Sequence, residues 1–219
     1  MSSLGIDTEA LIRQFSEATE KQGDAVRRSV QDATLKALQG RELTLKSIGD
    51  VLDAVTQAVS AGTSRNPLGA EVERLLAQAV AGMDAAVLQV VEANRRALQQ
   101  LVEKGVDLQE QQFRKALADI EKMEDTLFAA IQKAGDTTGP LQAAWMQTLR
   151  LFRQDGSATG GAALSAIETL AEQSRAAVRE GRAFSQQAAR ALLDHYAALA
   201  GGVLIGMSGA MANAPDRRR

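Results

Sequence analysis

Cysteine is absent, and His195 is the only histidine. The first absence removes disulfides and thiolate chemistry and fits a reducing compartment. The two together leave no Cys/His or multi-His set for a metal. Aromatic residues are scarce, at 3% against a hydrophobic share of 45%, so the apolar character comes mostly from Ala, Leu and Val. Such side chains build thin helical seams rather than one thick globular core. Elongation or oligomerisation is the expected remedy. Charge of one sign is not in excess either: 25 Lys and Arg face 27 Asp and Glu, for a net charge of −2. No positive field exists to concentrate phosphates, which excludes nucleic acid as the expected partner. The opening residues Met1-Ser2-Ser3-Leu4-Gly5 lack a basic region followed by an apolar run. Export by a signal peptide is therefore not expected, and the expected location is cytoplasmic.

What is present is helical periodicity, strongest from Asn66 to Gly135. Asn66 can cap free amides and Pro67 suits a first helical position. Apolar or small residues then recur every three to four positions, and no strand pattern survives. Stepping by eleven from Leu76 reaches Val87, Leu98, Gln109, Ile120 and Ile131, and from Val80 it reaches Val91, Val102 and Phe113. Eleven residues over three turns is about 3.67 per turn, so this stripe runs nearly straight. Local heptad steps also work, as in Met83, Val87, Val90, Asn94, Ala97, Leu101 and Leu108. The stretch reads as one very long helix or as two joined near Gly105. Its stripe suits either a flat apolar surface or packing against the rest of the chain.

Before this stretch, residues 1–65 read as helices. One starts at Asp7 or Thr8 and ends near Gln22. A second starts at Asp24 and carries Val26, Val30, Ala33 and Leu38, and the pattern runs on through Gly40 to Val59, with the first turn placed at Ser60 to Arg65. After it, Gly135 is the expected stop, Asp136 to Pro140 a loop, and Leu141 to Arg153 a helix whose Trp145 reads as a packing residue. Asp155-Gly156-Ser157 breaks the chain again, with the next helix starting there or after Gly160-Gly161.

Residues 136–200 thus form C-terminal helices, and 201–219 an apolar, Gly-rich tail with a basic end. Tyr196 to Ala214 contains no charged residue, and Ala198, Gly202, Gly206 and Ala210 recur four apart. That spacing makes a face almost without side chains, on which two helix backbones can touch. A run of this length can reach across a bilayer, but Gly and Ala contribute weakly to insertion and Arg217, Arg218 and Arg219 oppose crossing from the cytoplasm.

No catalytic or cofactor site emerges. Asp194-His195-Tyr196 has no activated serine: Gly206-Met207-Ser208-Gly209 lacks the spacing of a nucleophile elbow and any preceding strand. The glycine clusters follow no strand and include no Gly-Lys-Ser/Thr, so no phosphate loop is expected. Glu121, Glu124 and Asp125, set among Lys115 and Lys122, read as a solvated helix face.

The run Val90-Val91-Glu92-Ala93-Asn94-Arg95-Arg96-Ala97-Leu98-Gln99-Gln100-Leu101-Val102, continuing in Ala, Gln, Glu and Lys, resembles the long helical region of phasins. These are bacterial proteins that coat polyhydroxyalkanoate storage granules. The resemblance is compositional and confined to the central stretch; the Gly-rich tail departs from it. It implies an amphipathic, often oligomeric protein that adsorbs to a hydrophobic polymer and governs granule size. The expectation is an all-α protein of long helices in an extended antiparallel bundle or coiled-coil-like arrangement, forming a homo-oligomer without cofactor. It would bind a granule or lipid surface through Leu76, Val80, Val87, Val91, Leu98, Val102, Phe113, Ile120 and Ile131. A coiled-coil scaffold and a membrane-active helical protein are the alternatives.

Overall fold

The computed structural model describes residues 9–10, 12–13, 24–64, 69–103, 111–137, 139–179, 200–205 and 207. Among them every regular element is helical. The expected N-terminal helix from Asp7 lies largely outside the described residues.

Helix α1, Asp24–Leu38, has Asp24 in its first turn and Lys36 in its last, where each charge complements the helix dipole. Its buried side includes Val26, Val30, Ala33 and Leu38. The helix does not continue through Gly40, contrary to the expectation from periodicity. Gly40 takes a φ of +77°, and the Gln39 amide donates to the Leu35 carbonyl (3.0 Å) and the Arg41 amide to that of Leu38 (3.2 Å). A left-handed residue at this place is the usual helix stop. Thr44 then opens α2, Leu45–Ser64: its hydroxyl accepts the Ser47 amide at 3.1 Å.

Helix α3, Gly69–Glu103, is 35 residues long, about 52 Å at 1.5 Å per residue. Helices α4, Gln111–Glu121, and α5, Met123–Thr137, follow. Only Lys122 separates them, and the turn-to-turn bonds persist there, with the Lys122 amide to Ala118 at 3.2 Å and the Thr126 amide to Lys122 at 3.0 Å. They form one rod with a local irregularity. Both pack against α3, which one straight helix from Asn66 to Gly135 would not allow. Of the two readings of the central stretch, the single unbroken helix fails.

Gly135 is not the stop expected of it. It lies buried inside α5, where an added Cβ would stand 3.2 Å from Met146 Sδ and 3.5 Å from Trp145 Cβ. The turn comes later, through a short 3₁₀ segment, Gly139–Leu141, with Gly139 at φ +48°. Helix α6, Gln142–Asp155, ends at Gly156 (φ +79°), and α7, Ala158–Arg179, begins before the glycine pair Gly160-Gly161.

Helix α3 is the centre of the assembly. It contacts α1, α2, α4, α5, α6 and α7. Gly49 of α2 faces Thr126 of α5, and farther along Asp53 reaches Lys133, so α2 and α5 run in the same direction. Residues 200–205 are helical and return to the α1–α2 turn, with Ala200 and Leu204 fully buried.

Candidate functional site

The stripe read from the sequence becomes the seam of the bundle. Leu76, Val87, Val91, Leu98, Ile120 and Ile131 are wholly buried, Val80 is 1% exposed and Val102 4%. All eight belong to one continuous core. The side chain of Phe113 lies outside the described set, as do Ala198, Gly206 and Ala210 of the expected helix-contact face. Gly202 of that face is exposed and nothing lies within 4 Å of the Cβ it lacks. Its neighbour Gly201 is the closely approached one: an added Cβ would meet the Arg41 carbonyl oxygen at 2.8 Å.

Two close arrangements were not read from the sequence. The first is backbone contact between α1 and α3 at Gly82, where an added Cβ would sit 2.5 Å from the Arg27 carbonyl oxygen and 3.2 Å from the Gln31 amide nitrogen. The second is a polar junction joining α3, α5 and α7. Asp84, 6% exposed, accepts the Ala158 amide on Oδ2 and the Thr159 amide on Oδ1, both at 3.0 Å. The Thr159 hydroxyl returns a bond to the Asp84 carbonyl at 3.1 Å. A carboxylate from one helix thereby caps the positive end of another.

Ser157 completes the same end. Its hydroxyl oxygen accepts the Gly160 amide at 2.8 Å, the ordinary bond of an N-cap, and its proton goes to Glu124 of α5. Glu124 is therefore not part of a solvated face as expected; its neighbours Glu121 and Asp125 are exposed. Gly160 lies beneath it, where an added Cβ would stand 2.5 Å from Glu124 Oε1. Sequence did hold a signal for Asp84: it is the only charged residue between Arg74 and Glu92.

Farther along the bundle, Trp145 is fully buried and its indole N–H donates to Ser60 Oγ at 3.0 Å. Lys133 donates to Asp53. That bond, together with the Asp53 charge, raises the lysine pKa above its ordinary 10.5. Phe128 and Phe152 meet edge to face with centroids 6.0 Å apart, and Arg153 lies 5.2 Å from the Phe128 centroid. Each contact ties α5 or α6 to a neighbour, and none assembles a nucleophile with a base.

Among the described residues no group of His, Asp or Glu could hold a metal ion; His195 lies outside them. Among the described residues one helix, within Val72–Glu103, is long and apolar enough to cross a membrane, but 61% of its most apolar window is buried within the protein, the ordinary condition of a core helix. No curated protein and no solved structure matches the chain. A family of unknown function, DUF6781, matches residues 1–213, and the chain belongs to that family.

Proposed function

We propose that this is a non-catalytic amphipathic helical protein whose bundle opens on a hydrophobic surface, polyhydroxyalkanoate storage granules being the surface indicated by the resemblance to phasins. One observation carries the reading: apart from Asp84 and Thr159, the buried polar side chains of the seams donate within their own helices. Thr34 donates to the Val30 carbonyl at 2.7 Å, Ser60 to Thr56 at 2.8 Å, Thr63 to Val59 at 2.9 Å, Asn94 to Val90 at 2.9 Å and Thr148 to Ala144 at 2.8 Å. Helices of this kind keep these bonds when they separate. Exchanging a neighbouring helix for an apolar surface then costs few polar partners, and the hydrophobic contact itself is non-directional. Cytoplasmic location and homo-oligomeric pairing in solution accompany this reading.

A scaffold with permanently paired seams is the second reading, favoured by the register-specific backbone contact at Gly82. One experiment separates the two. Trp145 is the only tryptophan and is buried against Ser60, so its emission reports bundle opening. On mixing with polyhydroxybutyrate particles, the protein should co-sediment with unchanged helical circular dichroism and a shifted Trp emission. Protein that remains in the supernatant with unaltered emission would refute surface adsorption and leave the scaffold.

A further inference from the structure

Helix α3 carries a carboxylate on the face that forms the seam. Val80, four residues before Asp84, and Val87, three after, share its side of the helix and are buried with it. Beyond Asp84 no buried charged residue follows in the described part of α3, and Val87, Val91, Leu98 and Val102 continue the apolar face. A buried carboxylate is tolerated only with hydrogen-bond partners. Those here are the first two amides of α7, while the Thr159 hydroxyl donates beside them to the backbone carbonyl of Asp84. From this anchor α7 packs along α3 and also meets α4. Because α4 begins just beyond the C-terminal end of α3, α7 covers the C-terminal half of α3.

The described apolar part of this cover is built mostly of small side chains. Among the described side chains of α7, Ala163, Ala166 and Leu170 are buried and Ala162 and Ile167 are partly buried against the core, while Leu164 is 64% exposed and Ser165, Glu168 and Glu172 face water. Two alanines bury little area. The polar junction adds directional bonds at the start of this seam, and it is closed from a second side by Glu124 on Ser157.

We infer that docking of α7 on α3 is an autoinhibitory contact, a lid over the Val87–Val102 part of the seam latched at Asp84. The lid rests on the surface-binding reading, whereas the latch is testable without any surface. Asp84→Asn keeps the side chain's size but turns one acceptor into a donor facing an amide N–H. In the full-length variant, amide hydrogens from Ala158 to Leu170 should exchange at least about tenfold faster than in wild type, with α2 unchanged. Adsorption to polyhydroxybutyrate particles should accelerate in step. Ser157→Ala, which removes the bonds to Glu124 and the Gly160 amide from a partly exposed position, should act in the same direction to a smaller extent.

Unaltered exchange in α7 for both variants would overturn the latch, as would equal acceleration in α1 and α2, which would mean that the junction holds the whole fold. Loosening of α7 with adsorption unchanged from an adsorbing wild type would overturn the lid. If α7 loosens and neither protein adsorbs, the surface reading is what fails, taking autoinhibition with it and leaving the latch.

Discussion

A methyl group added at Gly82 and one added at Gly160 meet obstacles at the same distance and of different kinds. At Gly82 the obstacle is the backbone of α1, which can yield only if two helices move apart. Gly82→Ala should cost about 1–3 kcal/mol, read from the urea midpoint. At Gly160 it is the carboxylate of Glu124, the end of a flexible side chain. Gly160→Ala should cost markedly less, because Glu124 can swing aside and Ala gains up to about 1 kcal/mol in helix propensity. Equal losses would refute the distinction. Lys133 gives a pH-dependent case. Its pKa is raised by Asp53, so the folded state holds the proton more tightly than the unfolded chain. The stabilisation is complete below 10.5 and is lost as pH rises through the raised value. With side chains 62% and 26% exposed, solvent screening keeps it small. The stability difference between wild type and Lys133→Met should be flat from neutral pH to about pH 10 and narrow above it. Narrowing near neutrality would assign the difference to another group.

At the scale of elements, the most informative place is the end of α1. Apolar residues recur on both sides of Gly40, and their spacing runs through the turn without showing it, because periodicity records which side chains face the core and not whether the backbone between them is continuous. What stops the helix is a left-handed residue with open space around it. Gly40→Ala should therefore carry a backbone cost alone, about 1–2 kcal/mol in a urea titration. An unchanged midpoint would mean that the turn can adopt another conformation. Gly135 shows the reverse: its composition reads as a stop, yet the close approach of Met146 and Trp145 requires a small residue inside the helix.

At the scale of the molecule, the chain folds back on itself where the stripe alone allows a straight rod. The absence of cysteine permits clean labelling at Glu73→Cys and Asp136→Cys, both exposed positions. An unbroken helix would hold the dyes about 95 Å apart. The packing of α5 on α3 should bring them within energy-transfer range, and no transfer would contradict it.

The all-α class, the burial of the stripe residues other than Phe113, whose side chain lies outside the described set, and the burial of Trp145 followed from sequence, because a 3.6-residue period records which faces leave water. The sequence could not tell an external surface from the rest of the chain as the occupant of that face, since both demand the same apolar spacing. Only the tertiary structure decided that α3 is covered by its own chain, that Gly82 and Gly201 lie at backbone contacts, and that Asp84 caps a helix starting 74 residues later. Such pairings join positions far apart in sequence through distance and direction, which no local pattern encodes.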